Sequence, residues 1–229
     1  MASYVVTPLP RPSVAVDGEV ARFPVQRIYG VGFNYADHAV EMSKDAVKTP
    51  PVLFGKAADT LLADGQHLSY PSKTSDLHYE VELVVAIGTG GAHIPAARAL
   101  DHVYGYAVGN DFTRRDLQTT ARAQGQPWDI AKTFEGAAGI GAIYATPMVG
   151  HLKRGRIWLS VNGVIKQDSD LAQMIWSVPD IIAELSSYFS LQPGDLIYTG
   201  TPAGVGPLSV GDVVIAGIES LGTLTHRVV

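Results

Sequence analysis

Glycine and proline punctuate this chain so densely that long regular elements cannot form between them. With 24 Gly and 14 Pro in 229 residues, the apolar runs are short and bounded by turns, a layout that favours strands. Arg27 to Gly32, Val52 to Phe54, Tyr79 to Ile87, Leu196 to Thr199, Val213 to Ile215 and Gly222 to Val228 read as strands. Asp64-Gly65 marks a turn, and Arg98 to Val108 reads as a short helical turn leading into an apolar strand. Asn162-Gly163, set between Trp158 to Val161 and Val164 to Lys166, predicts a type I′ hairpin because both residues tolerate positive φ. Helical character is confined to Asn34 to Lys44, Thr113 to Ala123 and the stretch opened by Ser177 and Pro179, where Ile181, Ile182, Leu185, Tyr188 and Phe189 recur on one face. The expectation is an α+β, β-rich mixed fold with few helices rather than an alternating βαβ sheet. Pro8, Pro10 and Pro12 suit an extended arm. Residues 1–26 are therefore read as an arm and lead-in, and residues 27–229 as one domain without internal repeats or linkers.

Composition narrows the function. A hydrophobic content of 46%, charged content of 17% and mean hydropathy of +0.13 describe a chain that buries a core. The net charge of −5, from 17 Lys+Arg against 22 Asp+Glu, gives no attraction for nucleic acid or an anionic membrane. No apolar run reaches the roughly 20 residues of a membrane helix, and Met1 to Pro12 lacks the layout of a secretion signal, so a cytoplasmic location is expected. Zero Cys excludes disulfides, thiolate nucleophiles and zinc fingers, leaving His and oxygen donors for any metal.

Within Tyr79 to Ile87, Glu80 and Glu82 share one face while Val81, Leu83 and Val85 share the other. Acids turned to water would explain that alternation. Val84 and Ala86, however, make the acidic face apolar a few residues on, so the strand reads as buried on both sides. Paired buried carboxylates repel, and protonation or a cation must relieve them; a metal is the simpler relief. Asp111, which could also serve as a helix cap, offers a third carboxylate. Three carboxylates without thiols favour Mg²⁺ or Mn²⁺ over Zn²⁺.

His38 and Glu41 lie three apart, spacing that on a helical turn makes either a base dyad or an idle surface pair. Lys132, among apolar and small residues, could bind an anionic substrate or neutralise the acids. The loop from Thr199 to Pro207 offers backbone amides and hydroxyls to a carboxylate, but it lacks the Gly-Lys-Ser/Thr of a phosphate loop. Tyr35 stands where a dinucleotide fingerprint would need its third glycine.

Taken in order, Asn34-Tyr35-Ala36-Asp37-His38, Glu80-Val81-Glu82-Leu83, Gly105-Tyr106 leading to Asp111, Thr113-Arg114-Arg115-Asp116-Leu117-Gln118, Lys132 and Thr199-Gly200-Thr201-Pro202-Ala203-Gly204-Val205-Gly206 resemble the fumarylacetoacetate hydrolase superfamily. Within it, the chain is most similar to the short fumarylpyruvate hydrolases of bacterial gentisate breakdown. The resemblance implies a mixed β-roll, a homodimer, and Mg²⁺ or Mn²⁺ held by Glu80, Glu82 and Asp111. It also implies a catalytic His38–Glu41 dyad, Lys132 for charge stabilisation, and Arg115, Gln118 and Thr201 around a 2-oxo acid substrate. The implied activity is metal-dependent C–C hydrolysis of an acylpyruvate, fumarylpyruvate above all; oxaloacetate decarboxylation and non-catalytic binding of a 2-oxo acid or metal are the alternatives. Two positions depart from the pattern: Phe33 replaces a usual Arg before Asn-Tyr, and Gly55-Lys56-Ala57 replaces a usual residue-Lys-Pro.

Overall fold

The computed structural model describes residues 4–37 and 50–229. Residues 4–12 carry no regular structure, since their prolines withhold the donors a ladder needs. Folding begins with β1 (Ser13–Ala15) and β2 (Arg22–Pro24), an antiparallel pair that sets Val14 opposite Phe23 and buries both. Next come β3 (Arg27–Gly32), β4 (Val52–Lys56), β5 (Leu61–Ala63), β6 (His67–Leu68), β7 (Leu77–Tyr79), β8 (Val81–Ile87) and β9 (Val103–Asp111). The remainder comprises β10 (Thr113–Arg114), β11 (Ala138–Ile140), β12 (Tyr144–Ala145), β13 (Arg156–Val161), β14 (Val164–Asp170), β15 (Asp195–Tyr198), β16 (Gly206–Pro207), β17 (Val213–Ile218) and β18 (Thr223–Val228).

These strands form mixed sheets. The largest runs β4-β3-β15-β8-β9-β11-β5, with β12 also on β9, and a second runs β14-β13-β17-β18-β6. The β3–β15, β5–β11 and β6–β18 pairs are parallel. β8 is buried along its whole length. Its odd residues Val81, Leu83, Val85 and Ile87 join the core that takes Ile157 and Leu159 from β13 and Val214 from β17. Its even residues Val84 and Ala86 join a second cluster, with Val14, Phe23, Ile28 and Leu196. The expectation of a strand buried on both faces therefore holds, and Glu82 continues the even face toward the end of the sheet.

The expected strand over Tyr79 to Ile87 is interrupted at Glu80. There the chain leaves one ladder for another: β7 pairs with β10 and β16 in a small third sheet, while β8 enters the large one. The helix expected from Thr113 starts at Arg115, because Thr113-Arg114 are taken by pairing with β7. Asp111 does not cap that helix, whose N-cap position, Arg114, makes no side-chain cap bond. The helix Val178–Tyr188 begins as expected, with a capping box between Ser177 and Asp180 and Pro179 in its first turn. Ile181, Ile182 and Leu185 are buried there, but Tyr188 and Phe189 are exposed, because Phe189 lies past the helix end, where the face is no longer maintained. Asn162 and Gly163 hold φ of 51° and 79°, as a type I′ turn requires. His38, Glu41 and most of the helix expected over Asn34 to Lys44 fall outside the described residues.

Candidate active site

Register builds the acid cluster. Val81 pairs with Asn110, so the residue before Val81 faces the residue after Asn110, and the Asp111 amide donates to the Glu80 carbonyl at 2.8 Å. The Asn110 side chain accepts from the Glu80 amide at 2.9 Å, bonding the chain at its break. Glu80, Glu82 and Asp111 each turn one carboxylate oxygen into a group in which all lie within 4.8 Å of one another, and all three are buried.

Three cations enter from other elements. Lys132, which ends the short helix Asp129–Lys132, donates to Glu80 Oε2 at 2.8 Å, Asp111 Oδ2 at 2.5 Å and Thr113 Oγ1 at 2.7 Å, using all three ammonium protons. Lys56, at the end of β4, donates to Asp111 Oδ1 at 2.6 Å and to the Lys132 carbonyl. Arg115 donates to Glu80 and to Gln118, one turn on along the same helix. Glu82 differs: among the described residues it makes no ion pair, and the protein donor to it is the Gly200 amide at 2.7 Å. Burial and then the charges of Asp111 and Glu80 push its carboxyl well above the ordinary range. Burial works against the charge on Lys132, but Asp111 and Glu80 outweigh it and raise the ammonium. For Lys56 burial prevails over the attraction of Asp111, and the ammonium is lowered.

The loop after β15 is held by polar side chains. Asn34 Nδ2 donates to the carbonyls of Thr199 at 2.7 Å and Trp176 at 2.9 Å. Gly200 has φ 96°, and a β-carbon there would lie 2.6 Å from that of Asn34, so only glycine lets this amide reach Glu82. The buried Gln167 accepts from the Val81 amide at 3.0 Å and donates to Thr201 Oγ1 at 2.8 Å, tying the start of β8 to the loop.

Glu80, Glu82, Arg115, Gln118, Lys132 and Thr201 line one cleft, with Asp111 behind them. The facing wall is apolar, built from Val31, Gly32, Phe33, Phe54 and Trp128. The structure thus brings together every described residue singled out for the site. Lys56 and Gln167 join them although neither was a candidate: one lysine after a glycine, and one glutamine in an otherwise exposed strand, carry no periodic signal. The donor set fits a hard divalent ion. It is all oxygen and buried, and it includes a carboxylate with no cation of its own.

Comparison with known proteins agrees with this geometry. The fumarylacetoacetate (FAA) hydrolase C-terminal family profile matches residues 27–229. The chain is 47% identical to a fumarylpyruvate hydrolase of Ralstonia sp. over 176 residues, 76% of this chain and 91% of that one. It is 39% identical to human mitochondrial oxaloacetate tautomerase FAHD1 over 203 residues, 89% of this chain and 91% of the relative. The crystal structure of fumarylpyruvate hydrolase from Pseudomonas aeruginosa in complex with Mn²⁺ and pyruvate superposes with a TM-score of 0.97 at 47% identity, covering 99% of both chains. The expected β-roll is therefore the observed fold, and the chain belongs to the fumarylacetoacetate hydrolase family.

Proposed function

We propose that this protein is a divalent-metal-dependent hydrolase that cleaves the C–C bond of an acylpyruvate, with fumarylpyruvate, giving fumarate and pyruvate, as its substrate. One observation carries this: three buried carboxylates meet beside Lys132 and Arg115 in a cleft, in a chain whose structural relative at TM-score 0.97 was crystallised with Mn²⁺ and pyruvate. Glu80, Glu82 and Asp111 would hold Mn²⁺ or Mg²⁺. When bound, the ion would supply Lewis-acid stabilisation of negative charge on the 2-oxo acid end of the substrate.

The protein groups supply the rest. Arg115, Gln118 and Thr201 orient the 2-oxo acid end by hydrogen bonds. His38, its tautomer set by Glu41, takes a proton from water as the oxygen attacks the distal carbonyl carbon. The tetrahedral adduct collapses with the C–C electron pair passing to the pyruvate methylene carbon as an enolate, and the proton held by His38 returns to that carbon. Lys132 stabilises charge where the enolate develops. Family likeness extends the proposal to a cytoplasmic homodimer in gentisate catabolism. Among the described residues no helix is long and apolar enough to cross a membrane.

The human relative's tautomerase name keeps oxaloacetate as the competing substrate. Metal-loaded protein should give a higher kcat/KM for fumarylpyruvate or acetylpyruvate than for oxaloacetate, with products identified as well as substrate loss followed. A higher value for oxaloacetate than for both acylpyruvates would overturn the hydrolase proposal. A preference for acetylpyruvate would keep the chemistry and correct the acyl group.

A further inference from the structure

One polar side chain, Gln167, is fully buried in β14, a strand otherwise open to solvent along most of its length. The ladder with β13 sets Leu159 opposite Gln167 and Ser160 opposite Ile165, so Lys166 is an extra residue without an opposite number. Such a bulge twists its strand and re-aims the side chains beside it. The loop after β15 closes tightly over this bulge, since a β-carbon on Gly204 would collide with the Lys166 carbonyl. Hydrogen-bond accounting then fixes which way Gln167 faces. The Val81 amide can only donate, so the atom it reaches at 3.0 Å is the side-chain oxygen. The Pro202 carbonyl can only accept, and it takes one proton of the side-chain nitrogen at 2.8 Å. The other proton goes to Thr201 Oγ1, also at 2.8 Å. Thr201 therefore accepts from the protein and keeps its own hydroxyl proton, which meets no acceptor among the described residues. Gln118 has the same polarity: its oxygen accepts from Arg115, which leaves its amide protons for the cleft that both it and Thr201 line.

We infer that Gln167 is a positioning residue that fixes Thr201 as a hydrogen-bond donor toward the cleft, so that this wall is matched only by a ligand group that accepts. The inference rests on the cleft being a 2-oxo acid site, and it adds how that site imposes donor direction without a further positive charge. A hydroxyl free to rotate presents either its proton or a lone pair, and it would serve an alcohol or amide as well as a carboxylate. With its lone pair engaged by Gln167, Thr201 turns its proton to the ligand, and a donor placed there would face another donor. Specificity of this kind comes from the mismatch it creates for the wrong group as much as from the bond it makes with the right one. Gln167 itself does not line the cleft and acts through Thr201.

Calorimetry of pyruvate binding to the Mn²⁺-loaded protein provides the test, because it does not pass through turnover. Thr201→Val should weaken pyruvate roughly 10–100-fold, the worth of a hydrogen bond to a charged acceptor, while Thr201→Ser should keep most of the affinity. Gln167→Glu, once ionised, accepts from Val81 and from Thr201 alike, so the hydroxyl turns its lone pairs to the ligand and the loss should be at least that of Thr201→Val. Gln167→Met releases the hydroxyl without reversing it and should weaken pyruvate less than Gln167→Glu does. Most of the loss caused by Gln167→Glu should vanish in a Thr201→Val background, where there is no hydroxyl to turn. Wild-type affinity in Gln167→Glu, equal losses in the two Gln167 variants, or losses that multiply in the double variant would overturn the inference. Unfolding of both Gln167 variants would assign the side chain to stability and overturn it as well. Failure of the wild type to bind pyruvate would overturn the 2-oxo acid site and this inference together, whereas pyruvate binding without cleavage of fumarylpyruvate would overturn the proposed reaction alone.

Discussion

Glu82 is the residue on which the site turns. Its neighbours Glu80 and Asp111 are each paired with lysine or arginine, whereas Glu82 sits 2% exposed with a backbone amide as its donor. Its raised pKa has a definite sign. Without an ion the folded protein keeps this proton at pH values where the unfolded chain has lost it, so the group destabilises the apoprotein as pH rises above the ordinary carboxylate range. Metal binding must displace the proton, and affinity should weaken as pH falls. Titration of Mn²⁺ in two buffers of different ionisation heat should show proton release, and Glu82→Ala should abolish measurable binding. Wild-type affinity in that variant would remove Glu82 from the metal site. His38→Ala should instead leave the ion bound while hydrolysis falls roughly 10²–10⁴-fold, the loss expected for a general base. Unchanged hydrolysis would assign water activation to another group. The acids could be recognised from composition and alternation, because strand periodicity alone puts Glu80 and Glu82 on one side. Lys56 could not be, since its ammonium meets Asp111 across a sheet in which β3, β15 and β8 separate β4 from β9.

At the scale of elements, what could be read was local chemistry. Asn162-Gly163 and Ser177-x-Pro179 specify their turn and helix start through φ preference and capping, which need no distant partner. The break at Glu80 had no such signal. It arises because β7 and β8 pair into different sheets, and partner choice depends on segments dozens of residues away. The same cause moved the start of the helix after Asp111 from Thr113 to Arg115. Ser177 makes a clean element-level test because it lies outside the cleft lined by the carboxylates. Ser177→Ala removes the capping bond to Asp180 and should lower stability by about 1 kcal/mol. For a chain of this length that is a fall in Tm of about 2–4 °C. Thermal unfolding and steady-state kinetics should show the shift with kcat/KM unaltered; a matching loss of activity would mean that this helix communicates with the site.

For the whole molecule, the fold's task is to bring distant chain segments to one end of a buried sheet. Lys56, Glu80, Glu82, Asp111, Lys132 and Thr201 come from β4, the β7–β8 break, β8, β9, a short helix and the loop after β15. The N-terminal hairpin and both faces of β8 complete the core around that end, so the acids are held by packing as well as by their partners. Fold class was legible because Gly and Pro restrict element length throughout, and the site's residue types were legible from the acids and the absence of thiols. Their convergence required the sheet order. The central claim is that this arrangement adds water across a C–C bond. Single-turnover cleavage of fumarylpyruvate by the Mn²⁺-loaded protein in H₂¹⁸O, with mass spectrometry of the fumarate, tests it most directly. Hydrolysis predicts one ¹⁸O from water in each fumarate formed; fumarate without label, or metal-dependent loss of substrate with no fumarate, would contradict it.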